Sequence, residues 1–280
     1  MKPDSGAARA IARNVAAYDR LAGSYDAGHD EIFNPVEQAR LADAVRGVLA
    51  AVGHTPAQPA RVLDVGAGTG NLTSHFIEAG ALVTAADISA QCLALVERRF
   101  ASSGRLRTQR IDGTGLGGLA DGAFDVAACY SVLHHVPDYA ALVGEMARVV
   151  RSGGLVMIDH ERHDASWTDA SREQFMLEAW VFPPKRWTRF ITPSNYWNRI
   201  KPLLQWQRWF DKRWMPEGDL HIWPDDHIEW ARIERAAAAA GLTREMQDDY
   251  LAYDAHFDRT VWERWRERLS DHRLWTGRKQ

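Results

Sequence analysis

Residues 61–71, "RVLDVGAGTGN", set three glycines, Gly66, Gly68 and Gly70, directly behind a short apolar run. A run of that length, bounded by a turn, reads as a strand buried on both faces. Glycine lets the chain reverse sharply there and lets the backbone approach a ligand closely. The helix that follows, "NLTSHFIEAG", offers its N-terminal N–H groups. Strand, glycine turn and helix together confine the chain to an α/β architecture with its ligand at the carboxyl ends of the strands. The spacing narrows the ligand further. A dinucleotide turn, G-x-G-x-x-G, needs glycine at the sixth position from Gly66, where Asn71 stands, and the third glycine comes early at Gly70. Asp64, inside the strand end, suits a ligand with an ammonium group better than one with a pyrophosphate.

The alternation continues along the chain. "ALVTAADI", "RLRTQRID", "FDVAACYSVL" and "GLVMIDH" read as strands, and "SAQCLALVERRFA" and "DYAALVGEMARVV" as helices. This pattern predicts a doubly wound parallel sheet covered on both faces. Upstream, Asn34-Pro35-Val36-Glu37 is a helix start, with Asn as cap, Pro in the first turn and Glu37 placed to close a capping box. Val36, Leu41, Val45, Val48 and Val52 give that helix its apolar stripe. Downstream, a helix is expected from Asp226, hairpin strands within 243–257 and a final amphipathic helix over 258–275. Trp262, Trp265 and Leu269 share a face of that last helix, to cover the sheet or a partner subunit in a homodimer.

At 280 residues the chain suits one large domain with an insertion. A net charge of −3 makes no whole-protein case for nucleic acid. Cys92 and Cys129 lack metal or disulfide spacing and sit among apolar neighbours, as buried thiols do. The N-terminal residues lack a signal-peptide core and no run is long enough to span a bilayer, so a cytoplasmic setting is expected.

Two more acids close strands: Asp87 in "AADIS" and Asp112 in "RIDG". Asp87 is placed for two ribose hydroxyls and Asp112 for an adenine amino group, with strand-end capping as the alternative for each. With "VLDVGAGTGNLT", "FDVAACYSVLHHVPD" and "VVRSGGLVMIDH", about residues 10–160 resemble the class I S-adenosylmethionine-dependent methyltransferases of small-molecule type, similar to methyltransferase domains 11 and 12. The resemblance implies a Rossmann-like seven-stranded sheet ending in an antiparallel hairpin, and S-adenosylmethionine as cofactor. It assigns Asp64, Gly66, Ala67, Gly68, Gly70 and Asn71 to the methionine part of the cofactor. Asp87 would hold the ribose, Ile88 would pack on adenine, and Asp112 with Gly113 would read the adenine edge. Tyr130 and Ser131 would border the sulfonium, and Tyr25 would close over the cofactor. The expected organisation is an N-terminal helical cover (1–55), the cofactor-binding core (56–160), a Trp-rich basic insertion (161–224) and a C-terminal completion of the core (225–280).

The stretch "VMIDHERHD", residues 156–164, leaves the fifth strand on the site edge, and "LHHVPD" leaves the fourth. His160, His163 and His135 are therefore candidate general bases, set against hydrogen-bonded structural histidines with Glu161 and Arg162 on a solvated loop. His160, His163, His221 and His227 are candidate metal ligands, although Tyr130-Ser131 stands where catechol-type relatives keep a magnesium-binding Asp. All 12 tryptophans follow residue 166. Between Trp180 and Trp214 eight basic residues face a single acid, Asp211, a net +7. This segment reads as a lid over the substrate, as a peripheral lipid or membrane contact, or as a self-packed subdomain; "CYSV" argues against nucleic-acid base methylation. The sequence thus points to a methyltransferase of specialised metabolism acting on a small molecule, at oxygen before nitrogen or carbon. The alternatives are a lipid-associated methyltransferase and a cofactor-binding protein with a non-methyl reaction.

Overall fold

The computed structural model describes residues 5–23, 26, 29–181, 223 and 227–280. Two helices, α1 (Ser5–Leu21) and α2 (Pro35–Ala51), precede the alternating core. The core runs β1 (Arg61–Val65), α3 (Asn71–Glu78), β2 (Leu82–Asp87), α4 (Ala90–Phe100), β3 (Leu106–Arg110), β4 (Phe124–Tyr130), α5 (Tyr139–Val149) and β5 (Val150–Arg162). The helix Trp230–Ala239, β6 (Leu242–Tyr250), the helix Arg259–Trp265 and β7 (His272–Lys279) complete it. The seven strands form one sheet in the order β3-β2-β1-β4-β5-β7-β6. The first five are parallel, and β7 runs antiparallel between β5 and β6.

Strand side chains alternate between two apolar layers, as a pleated sheet buried on both faces requires. Val62, Val126, Ala128, Leu155 and Met157 face Leu41, Val45 and Val48 of α2 and Leu72 and Phe76 of α3. Leu63, Ala127, Cys129, Val156 and Ile158 face α5 and the helix Trp230–Ala239 through Val143, Met146, Trp230 and Ile233. Both cysteines are buried and free. Among the described residues no helix is long and apolar enough to cross a membrane.

The α2 start is as the sequence predicts in one half only. The Oδ1 of Asn34 accepts from the N–H groups of Val36 and Glu37. Glu37 does not close the box. Its carboxylate is buried and takes the guanidinium of Arg40 and the hydroxyl of Tyr130 instead.

The C-terminal expectation needs a larger correction. The second hairpin strand is not within 243–257 but at 272–279, and the helix expected over 258–275 ends at Trp265. The reason is burial on both sides. Leu274, Trp275, Thr276 and Gly277 are enclosed between β5 and β6 and hydrogen-bond to both, which a helix there would forfeit. Trp262, Trp265 and Leu269 pack on Phe175, Ala179 and Leu251, in a small apolar cluster of their own. The helix expected from Asp226 begins at Trp230.

Candidate functional site

A cleft opens at the carboxyl ends of β1, β2 and β4, beneath one face of α1. Its floor is the glycine turn. Gly66, Gly68 and Gly70 have φ of 71°, 53° and 95°, a region that L side chains avoid. A Cβ on Gly66 would lie 2.6 Å from Val132 Cγ2, whereas one on Gly68 would meet nothing closer than 4.0 Å. Gly68 therefore bares backbone to the cleft. Gly70 does not line it; it lets the turn seat against Val96 and Phe100 of α4.

Asp87 fixes this turn from the end of β2. Its Oδ2 accepts from Gly68 N at 2.9 Å and its Oδ1 from Ser89 N at 2.7 Å. Burial raises its pKa, against the lowering effect of those bonds. Ala67, Ile88, Gly113, Tyr130 and Ser131 line the cleft as expected. Asn71 lines it too. Its Oδ1 accepts from Gln38 Nε2, while its buried Nδ2 meets no acceptor among the described residues.

Two assignments change, and a third falls outside the described residues. Asp64 does not line the cleft; its carboxylate is buried against the Thr73 hydroxyl, and burial pushes it up to about 7. A carboxyl so enclosed cannot meet a ligand's ammonium group. Asp112 is exposed and spends its Oδ1 on the N–H and hydroxyl of Thr114, leaving the cleft wall to Ile111, Gly113 and Thr114. Tyr25 lies outside the described residues. Asp26 accepts from Thr69 Oγ1 at 2.6 Å and from Arg99 Nη2 at 2.9 Å, beside the glycine turn.

The histidines separate sharply. His135 ends a short 3-10 turn, Leu133–His135, after β4 and lines the cleft. Its Nε2 meets the Tyr18 hydroxyl at 3.0 Å, the two rings edge to face. His160 does not line the cleft. It is buried between the rings of Tyr130 and His272, at 4.7 and 4.3 Å, with its Nδ1 on Tyr250 Oη and near Glu37. His163 is buried on the Ser270 hydroxyl and accepts from Ala165 N. Neither is placed to take a proton from a molecule in the cleft, so His160 and His163 are structural.

The metal candidates do not assemble. Among the described residues no three His, Cys, Asp or Glu side chains could share an ion. His160 and His163 have separate partners, His227 stacks on Trp167 near Asp164, and His221 lies outside the described residues. Most of the Trp-rich segment, 182–222, also lies outside them, and with it the lid and lipid readings. Trp223 packs on Tyr139 and donates to Val136 O beside the cleft.

Tyr18, Glu37, Arg40 and Glu161 are the residues that sequence reasoning missed. Tyr18 had a legible signal: Ile11, Asn14, Tyr18 and Ala22 fall on one face of a helix, and all four line the cleft. Arg40 joins Glu37 to the buried Asp159, 119 residues away, and lies 4.0 Å over the Tyr250 ring. No local pattern announces that pairing.

The described residues fit a nucleoside ligand with an amino-acid tail. Bare backbone at Gly68, a carboxylate closing β2 and an orphaned amide N–H₂ on Asn71 are the donors and acceptors that such a group uses. Residues 63–158 match the methyltransferase domain family. The ubiquinone biosynthesis O-methyltransferase of Idiomarina loihiensis is 34% identical over 140 residues, 48% of this chain and 57% of that protein. The chain thus matches less than two thirds of the length of this curated relative. Among solved structures, an S-adenosylmethionine-dependent methyltransferase from Mesorhizobium loti superposes with a TM-score of 0.53 at 21% identity, covering 85% of this chain and 96% of that one. A chain from the complex of the Haloferax volcanii Trm112 methyltransferase activator with a methyltransferase reaches 0.58 at 15% identity, covering 93% and 96%. At such identities the likeness is one of fold.

Proposed function

We propose, for a chain whose residues 63–158 match a methyltransferase domain, that it is an S-adenosylmethionine-dependent enzyme that methylates a hydroxyl oxygen of a small, largely apolar molecule, with His135 as general base. The observation that carries this reading is the His135–Tyr18 pair, the imidazole and phenol held 3.0 Å apart on the cleft wall. The cleft is also lined by apolar Ile32, Phe33, Val136, Pro137 and Leu142. An acceptor seated there would be a hydroxyl on an apolar frame, such as a phenol. The O-methyltransferase relatives support oxygen over nitrogen or carbon.

Bound S-adenosylmethionine supplies a methyl group already activated on a sulfonium, so the protein has to orient the acceptor and remove its proton. Gly68 and Asn71 would hold the amino-acid tail. Asp87, whose oxygens each keep a lone pair beyond the bonds to Gly68 and Ser89, would take the ribose hydroxyls. Ile88 and Gly113 form the slot for a flat base. His135 would accept the acceptor's proton at Nε2, either directly as the acceptor displaces Tyr18 or through the Tyr18 hydroxyl. A histidine suits this work because its ordinary pKa lies near neutral.

The test uses methyl-labelled S-adenosylmethionine with a panel of phenols, aliphatic alcohols, amines and thiols. Label should appear on phenolic oxygen, with S-adenosylhomocysteine formed in equal amount. Transfer to amines or thiols alone would overturn the oxygen assignment. Tight cofactor binding with no transfer to any class would favour a non-methyl reaction.

A further inference from the structure

Glu161, for which a solvated loop is one of the two readings of the sequence, is 1% exposed, and its carboxylate collects three donors from consecutive residues of the turn that carries His135. Its Oε1 accepts from Val132 N at 2.7 Å and Leu133 N at 2.6 Å, and its Oε2 meets His134 Nδ1 at 2.9 Å. The rings of His134 and His135 lie 4.1 Å apart. Two backbone features bring this about. The pairing of β5 with β7 gains one residue on β5 between Ile158 and Glu161, and His160 within that bulge has φ of 60°. Across on β4, Ser131 has φ of 57° and donates its N–H to Asp159 O. Positive φ on two adjacent non-glycine strand ends is conformational strain held by the surrounding structure. The bulge re-aims the end of β5 so that Glu161 reaches the turn after β4.

We propose that Glu161 is the positioning residue of this site: its carboxylate pins the 132–134 backbone and the His134 ring, and so holds the His135 imidazole on the cleft wall against Tyr18. The inference rests on His135 being the base. Glu161 does not itself line the cleft and meets its lining only at the Val132 N–H, so it acts through the turn. A buried carboxylate spent on two backbone N–H groups and one ring is a large commitment for a three-residue turn, since removing it leaves those donors unsatisfied.

Three substitutions separate the roles. Glu161→Gln keeps an oxygen for the two N–H groups, and His134 can accept from the new amide by changing tautomer. Glu161→Asp keeps the charge but draws the carboxyl back by one methylene, away from all three donors. Glu161→Ala removes everything. For a positioning role, E161Q should stay within roughly fivefold of the parent kcat, about one neutral hydrogen bond's worth. E161D and E161A should fall on the order of 100-fold, as displacement of a catalytic group does. Cofactor Kd should be unchanged throughout, and E161A added to H135A should cost nothing more. If E161D outperforms E161Q, charge and not position matters, and the proposal fails. If the E161A and H135A losses multiply, Glu161 does not act through His135, and the proposal fails even if the base assignment stands. Activity retained in H135A alone would instead remove the base assignment itself. E161D and E161Q carry the test if E161A does not fold.

Discussion

His134 and His135 follow β4, and His160 and His163 leave β5, the strand beside it; all four lie at the same edge of the sheet. The first pair sits on a turn whose backbone is held from outside by Glu161, so its second ring faces the cleft and Tyr18. The second pair is overlaid by the C-terminal hairpin and α2. His160 is packed among Tyr130, Tyr250, His272 and Glu37, and His163 lies against Ser270. Adjacent strand ends can thus carry the same residue type to different surroundings, on the cleft wall in one case and packed away from it in the other. What differs is which described elements pack on each pair: α1 through Tyr18 on His135, and α2 with the C-terminal hairpin on His160.

The acids show the same division. Asp64, beneath the glycine turn, has no cation near it, and burial raises it to about 7. Burial would raise Glu37 as well, but hydrogen bonds from His160 and Arg40 and their charges outweigh it and hold Glu37 at about 2. One buried acid is pushed toward its neutral form and the other is held as a paired ion.

The largest effect should come from exchanging the roles under test. His135→Asn should lower kcat by roughly 10²–10⁴ with cofactor affinity kept, the usual range for losing a general base. His160→Asn should leave kcat of the folded enzyme near the parent value and cost about 1–3 kcal/mol in urea unfolding, because it orphans buried partners. The reverse pattern would break the comparison.

Arg40→Met should destabilise by about 3–5 kcal/mol, since it leaves Glu37 and Asp159 buried without their shared cation. A loss below about 1 kcal/mol, the surface-pair range, would show that the cluster is solvated.

Next comes pH. Asp64 titrates near 3.8 when unfolded and about 7 when folded, so the folded state binds more protons and stability declines as pH rises between those values, then levels. Asp64→Asn should abolish that decline, worth on the order of 1.4 kcal/mol for each pH unit crossed. Glu37 has the opposite sign: its contribution is present above 4.5 and is lost as pH falls toward about 2. Unfolding curves from pH 3 to 8 on parent and D64N proteins read both limbs; an unchanged slope between 4 and 7 in D64N would contradict the neutral assignment. Smallest of all, His163→Asn should cost about 1 kcal/mol through the Ser270 hydrogen bond and leave kcat alone.

Legibility in the sequence followed the range of the interaction. The Asn34 cap, the glycine turn and the alternation of β1 to β5 are settled within a few residues, and the structure has them where the sequence does. Asp87 was legible because a carboxylate closing β2 needs only the strand and the adjoining turn. Glu37 was misread because its local pattern, three residues after Asn34, is that of a capping box. Partners 93 and 119 residues away, Tyr130 on Glu37 itself and Asp159 on its neighbour Arg40, draw this pair of side chains inward instead. The first half of β7, 272–275, was misread as helix because its apolar spacing suits either structure, and only the open place between β5 and β6 selects strand.

The sequence by itself therefore determined the doubly wound sheet, the glycine-lined cleft at its carboxyl edge and the kind of ligand that such a cleft takes. Each of these follows from short-range sterics and strand periodicity, which the residues carry wherever they are placed. The tertiary structure decided which histidine faces the cleft, which buried acid is raised and which is lowered, and that Glu161 holds the turn after β4 from the end of β5. Those outcomes depend on solvent exclusion and on bonds between residues far apart in the chain, through a one-residue bulge that shifts the last side chains of β5. Burial is a property of the assembled fold, and it raises Asp64 and Asp87 at this edge where no local pattern would.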